Sequence, residues 1–257
     1  MDVAEPERRK YPIPDLKLLF GLAAGRCAIP DCRQKVFADA TELDEIKVIG
    51  KIAHIVAHSP GGPRFDSAYP ADKLDRYSNW ILVCGNHHDT IDLQTNTYTA
   101  EALQLLKRDH EAWVTDRLDE AMPGVSFVEL QTITTALAGN NVTSPFDSGV
   151  LKPAEKMARN RLSTRVEHHL MLALSKAKDV RDFVSAIGQF DATFADRLAD
   201  GLRREYVRLR ADERLDGDDL FNQLYIYASR NSMQIELQAA GLAVLGYFFE
   251  ICEVFER

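Results

Sequence analysis

The amino-acid sequence predicts an α+β chain in two parts. A small metal-clipped domain of short strands and helices covers residues 1–122. An all-α helical domain covers residues 152–257, and a linker at 123–151 joins them. Three observations carry this division. Cysteine and histidine fall in two close-spaced groups, Cys27-x₄-Cys32 and Cys84-x₂-His87. Ile- and Val-rich runs with strand character lie between and around them. From Lys152 onward apolar residues recur at helical spacing almost without interruption.

The bulk numbers bound this reading. A chain of 257 residues allows one large or two modest domains, and an apolar share of 46% supports a real core. The N-terminus MDVAEPERRK is polar, with no apolar secretory segment behind it. The longest apolar-leaning run, Leu237 to Phe249, is too short to span a bilayer. Three of the four cysteines stand at metal-ligand spacing, and Cys252 stands alone in an apolar stretch. This usage suits a reducing cytoplasm, not a disulfide framework. The formal net charge is −8, and residues 1–122 carry 15 Lys+Arg against 20 Asp+Glu. Affinity for nucleic acid depends on neutralised phosphates. The front half is therefore expected to bind DNA weakly on its own and to need assembly or a partner.

Taken in order, residues 1–13 read as a loose charged arm. Pro14 to Leu22 reads as a short helix, with Pro at its start and Leu16, Leu19, Phe20 and Leu22 on one face. Gly25 ends it before the first cysteine pair. Lys35–Ala38 suggests a short strand, and Leu43–His58 a strand or hairpin. Ser59–Pro63, SPGGP, is a loop. Asn79–Val83 is an apolar strand running into Cys84, and a helix is expected from Gly85. Thr99 caps a longer helix in which Leu103, Leu106, His110, Trp113 and Arg117 share helical spacing. The boundary segment Met122–Val150 is rich in Gly, Pro, Asn and Ser, with a strand expected at Val125–Leu130. Helices are expected at Ala154–Leu174, Asp179–Ile187, Asp191–Arg210, Asp218–Ser229 and Met233–Phe255.

The chemistry concentrates in residues 25–92. Two short loops that each supply two N/S ligands are what a structural tetrahedral Zn²⁺ requires, which assigns Cys27, Cys32, Cys84 and His87 to zinc. The plain alternative is that the cysteines are small buried hydrophobes. His88 follows the zinc ligand His87 and inherits a fixed backbone, so it is the candidate ligand of a second, catalytic divalent metal (Mg²⁺ or Mn²⁺). Asp92 lies four residues on, on the same helical face, and completes a two-point clamp. His54, on a strand-like run, is the candidate general base. Asn79 is expected to brace the loop through its amide, and Arg64 to hold a phosphate bidentately. His58 reads as a plain loop histidine, and His110, His168 and His169 as packing or solvent-facing residues. Together the candidates fit metal-assisted phosphodiester cleavage better than any does singly.

The segments GRCAIPDC, IAHIVAHSPGGPR, SNWILVC and GNHHDTID, followed by YTAEALQLLKRDHEAWV, resemble the zinc-bearing subgroup of the HNH (ββα-metal) endonucleases. The signature positions fall on His54, Asn79 and His88. The resemblance implies a β-hairpin carrying His54 as base, a following helix carrying His88 as metal ligand, and one Mg²⁺-type ion. It also implies cleavage of double-stranded DNA leaving 5′-phosphate ends. One departure stands out: many members place an acidic metal ligand just before the first histidine, and here that residue is Ala53.

The rear half, through KMARNRLS, the REYVRL helix, DDLFNQL and YFFEICEVFE, resembles the C-terminal domains of ABC-three-component bacterial defence systems. That likeness implies an ABC-type ATPase partner. The rear domain is expected to dock it or to form a homo-oligomer, and its terminal apolar helix, mostly core, could also present a docking face. The leading expectation is a DNA endonuclease acting as a defence effector, held quiet until its rear domain is engaged. Two alternatives stand beside it. One is an inactive zinc-bearing scaffold, for which Ala53 speaks. The other is a modification-dependent restriction enzyme, against which the 16 Lys+Arg to 19 Asp+Glu of residues 123–257 weighs.

Overall fold

The computed structural model describes residues 11–39, 41–138, 153–211, 214–251 and 255. They group into two compact units, Met1–Val114 and Thr115–Arg257. The expected N-terminal arm up to residue 10, residues 139–151 of the expected linker, Lys152 and Cys252 lie outside the described residues. The division falls inside one helix, so residues 115–122 group with the helical unit.

The first unit is a small α+β body. Helix α1 (Ile13–Leu22) buries Leu18, Leu19 and Leu22, and Gly25 at φ +57° turns the chain out of it into the cysteine loop. Strands β1 (Phe37–Ala38) and β2 (Lys47–Val48) pair antiparallel. Gly50 then packs its backbone on Val36: its N–H lies 2.8 Å from the Val36 carbonyl. A Cβ at residue 50 would stand 2.5 Å from the Val36 Cβ, so only glycine fits. This corner splits the expected strand at 43–58 into β2 and a second short strand, β3 (Lys51–His54), in a separate sheet.

Strand β3 pairs antiparallel with β4 (Trp80–Val83), with His54 opposite Trp80 and Lys51 opposite Val83. All four β4 residues are buried, which is why the run is apolar without alternation. The cysteine loop covers its outer edge, where the Ala28 N–H bonds the Leu82 carbonyl at 2.9 Å. The connection from β3 to β4 carries one short helix, α2 (Ala71–Leu74), and β4 runs straight into α3 (Gly85–Leu93). Helix α4 (Ala100–Ala121) opens on Thr99, whose hydroxyl accepts the Ala102 N–H at 3.2 Å.

The second unit is helical throughout its described length. The strand expected at Val125–Leu130 is instead the start of helix α5 (Phe127–Leu137). Its signal is a capping box: Ser126 accepts the Val128 N–H, and Glu129 reaches back to the Ser126 N–H at 2.9 Å. The expected helix at 154–174 is two helices, α6 (Pro153–Arg159) and α7 (Thr164–Leu174), broken where Arg161 adopts φ +54°. Then come α8 (Ala177–Gly188), α9 (Phe194–Ala211), α10 (Gly217–Ala228) and α11 (Ile235–Glu250).

Helix α11 is buried continuously from Gln238 to Phe249 and packs against α5, α7, α8 and α10. A helix apolar all round belongs inside a core. The apolar stretch is therefore the unit's centre and not the docking face allowed by the sequence reading. Gly246 lets it meet α7, since a Cβ there would stand 2.4 Å from the Ala173 Cβ. Among the described residues no helix is long and apolar enough to cross a membrane.

Candidate metal centre and cleft

The cysteine loop, the end of β4 and the first turn of α3 converge on one cluster. The ligand atoms of Cys27, Cys32, Cys84 and His87 lie within 4.8 Å of one another. The Nδ1 of His87 is 3.5 Å from the Cys27 sulfur and 3.2 Å from the Cys84 sulfur. A tetrahedron with Zn–S near 2.3 Å and Zn–N near 2.0 Å has S···N edges of about 3.5 Å. The observed separations match those edges, so the Cys₃His set can bind a metal ion such as zinc, with its donors already gathered. Among the described residues no cysteine is disulfide-linked.

The electrostatics of the sulfurs point the same way. Burial pushes the Cys27 thiol up to about 12, and the nearby Cys84 and Cys32 sulfurs add to the rise. Burial acts upward on Cys84 too, but hydrogen bonds from the His87 backbone and from Cys27, Cys32 and Gln34 outweigh it and hold that thiol below its ordinary value. Three thiols crowded into one partly buried site repel one another once ionised. Such a group is relieved by a divalent cation, which stabilises all three thiolates at once.

His88 follows on the same turn of α3, its N–H held by the Cys84 carbonyl at 2.9 Å. Across from it stands His54, at the end of β3. His54, His88, Arg64, Asp92 and His58 line one cleft of about 100 Å³. Residues 54 and 88 thus reach the same hollow from different elements. The Nδ1 of His88 lies 3.8 Å from Oδ2 of its i+4 neighbour Asp92, and 3.4 Å from the exposed carboxylate of Asp89.

Asn79 is fully buried and lies behind the cleft. Its Oδ1 accepts the Val56 N–H at 2.9 Å, and its Nδ2 donates to the Val56 and Leu74 carbonyls at 3.0 Å each. The Asn79 carbonyl also receives the Ile55 N–H at 2.8 Å. One side chain therefore ties the loop after β3 to the segment leading into β4.

Arg64 departs from expectation. Its side chain is 4% exposed and its backbone takes φ +58°. The guanidinium donates to the carbonyls of Ile55 (2.9 Å), Ile91 (2.7 Å) and His54 (3.1 Å), and to Oδ1 of Asp92 (2.7 Å). A fork committed to four protein acceptors has no face left for a phosphate. Arg64 is thus a brace that stitches β3 to α3, not the phosphate holder expected from the sequence. The same pairing occupies one oxygen of Asp92, so only Oδ2 remains toward His88.

The sequence reading missed Asp75. The Nε2 of His54 stands 3.2 Å from its Oδ1 and 3.1 Å from the Trp80 indole nitrogen. The other carboxylate oxygen lies 3.9 Å from Nε2 of His58. Asp75 follows the short helix α2, twenty-one residues from His54, with no motif to announce it. His58, read as a plain loop residue, shares both the cleft and this carboxylate.

His110 is structural. Its Nδ1 meets Arg33, its Nε2 the Ala23 carbonyl, and its ring stacks on Trp113. Burial, with the Arg33 charge adding, pushes it down to about 4.

No protein-family model and no curated protein matches this chain.

Proposed function

We propose that this chain is a metal-dependent HNH endonuclease that hydrolyses phosphodiester bonds of double-stranded DNA. The observation that carries the reading is that His54 and His88 line one cleft, with the Cys₃His cluster one residue behind His88. In this account zinc fixes the turn and His88 takes its direction from it. His88 Nδ1 and Asp92 Oδ2 would hold the catalytic Mg²⁺ or Mn²⁺, leaving the other positions to phosphate and water oxygens. The ion, when bound, neutralises charge on the phosphate and on the departing oxygen.

The chain's own residues do the rest. His54 takes a proton from water as the water oxygen attacks phosphorus, and the bond from phosphorus to the 3′-oxygen breaks. The phosphate stays on the 5′ end. Asn79 and Arg64 hold the loop and helix that carry the two histidines.

The front half's acidity fits an enzyme that is quiet alone. On this reading it is a cytoplasmic effector of bacterial antiviral defence. Its helical unit docks an ABC-type ATPase or a second copy of the chain, and a pull-down with the products of neighbouring genes tests that. The nuclease reading is tested with the full chain on supercoiled plasmid, with Mg²⁺ or Mn²⁺. Cleavage should require the added metal and disappear in His88→Ala. Full cleavage in EDTA at concentrations that leave zinc in place would overturn it.

A second reading, an inactive zinc-bearing scaffold, is favoured by two features of the cleft. Ala53 offers no carboxylate, and Arg64 occupies one oxygen of Asp92. Absence of cleavage in the presence of the docked partner would select it.

A further inference from the structure

We propose that Asp75 sets the tautomer of His54, holding the proton on Nε2 and leaving the lone pair on Nδ1. Two groups compete for Nε2: the Asp75 carboxylate at 3.2 Å and the Trp80 indole N–H at 3.1 Å. One ring nitrogen of a neutral imidazole carries either a proton or a lone pair, so it serves only one of them well. With a lone pair, Nε2 accepts from Trp80 and faces a carboxylate oxygen that repels it. With a proton, Nε2 donates to an ionised acceptor and gives up the Trp80 N–H; the charge-assisted bond, about twice as strong as a neutral one, outweighs the loss.

The site is dry enough for the difference to count. Trp80 is fully buried, the His54 side chain is 7% exposed, and that of Asp75 is 18% exposed. The carboxylate is held on a short backbone turn after α2, and its second oxygen lies 3.9 Å from Nε2 of His58, so two cleft imidazoles share it.

The consequence for catalysis rests on the nuclease reading; the tautomer assignment does not. If His54 is the base, the atom that accepts the proton is Nδ1. The imidazolium then formed lies against a carboxylate that stabilises it. Asp75 is on this account a positioning residue, acting on the reaction only through His54.

The test is the long-range ¹⁵N–¹H spectrum of histidine-labelled full-length protein, at a pH high enough that the imidazoles are neutral. The His54 signals are identified by their loss in His54→Gln. The expected result is the Nε2–H form in wild type and in Trp80→Phe. Asp75→Asn should move His54 to the Nδ1–H form, and Asp75→Glu should restore Nε2–H. An Nδ1–H form in wild type overturns the proposal whether or not the protein cuts DNA. Where cleavage is measurable, Asp75→Asn should lower kcat on the order of 100-fold, with KM for the duplex and zinc content unchanged. A rise in KM at constant kcat would also contradict it.

Discussion

Arg64 and Asp92 are paired at 2.7 Å across the floor of the cleft, and this pair decides how the neighbouring charges are used. A cation and a carboxylate that first suggest substrate and metal contacts spend most of their bonding on each other and on backbone carbonyls. The cleft is left with three imidazoles and the outer oxygen of Asp92, with the carboxylate of Asp75 against His54 and His58.

Arg64→Ala should therefore act on stability. It strands three carbonyls and one carboxylate, at a cost of about 2–4 kcal/mol. Arg64→Lys should recover only part of this, because one ammonium cannot reach four acceptors. Thermal melting of both variants measures it; a melting point equal to wild type with weakened DNA binding would return Arg64 to the phosphate.

Asn79→Asp should be more damaging than Asn79→Ala. The aspartate keeps the acceptor for the Val56 N–H but sets a carboxylate oxygen against the Val56 and Leu74 carbonyls, in a fully buried position. Alanine leaves the groups unpaired, costing about 2–3 kcal/mol, whereas aspartate adds repulsion in low dielectric. Urea unfolding gives the order, and a milder effect for aspartate would contradict it.

Metal analysis should return one zinc per chain, held by Cys27, Cys32, Cys84 and His87. Because the thiols must lose protons to bind it, a chelator should strip the metal faster at pH 6 than at pH 8. Stripping should unfold the first unit, read as loss of near-ultraviolet dichroism from Trp80. A zinc-free protein with that signal intact would contradict the structural role.

Acid should destabilise both units. His110 in the first and His169 in the second are each pushed down to about 4, chiefly by burial. Their unfolded value is near 6.5, so between about 4 and 6.5 the unfolded chain binds the extra protons. Stability is fully present above pH 6.5 and falls as pH drops toward 4, by a few kcal/mol per histidine. His169→Phe should flatten the profile of the second unit; an unchanged acid midpoint would show that other groups set it.

Much of this was legible in residue spacing. Cys27-x₄-Cys32 and Cys84-x₂-His87 are local patterns, and short loops bring local ligands together without help from the rest of the fold. The helices of the rear half follow from periodicity, since burial on one face is a local property of the chain. What escaped depends on distant or unmarked geometry. Asp75 meets His54 only because a twenty-one-residue connection returns to it. Arg64 folds back through a positive φ that no glycine announces, and Arg161 breaks its helix in the same way. The start of α5 is marked by the capping box of Ser126 and Glu129, although the residues Val125 to Val128 favour a strand.

On the proposed function, His54 and His88 act together on one phosphodiester in the cleft that both line. The most direct test is nicking of supercoiled plasmid by full-length protein with Mn²⁺, wild type beside His54→Ala at matched zinc content. The variant is expected to lose at least about 100-fold in rate with its fold intact. Equal cutting by the two proteins would contradict it.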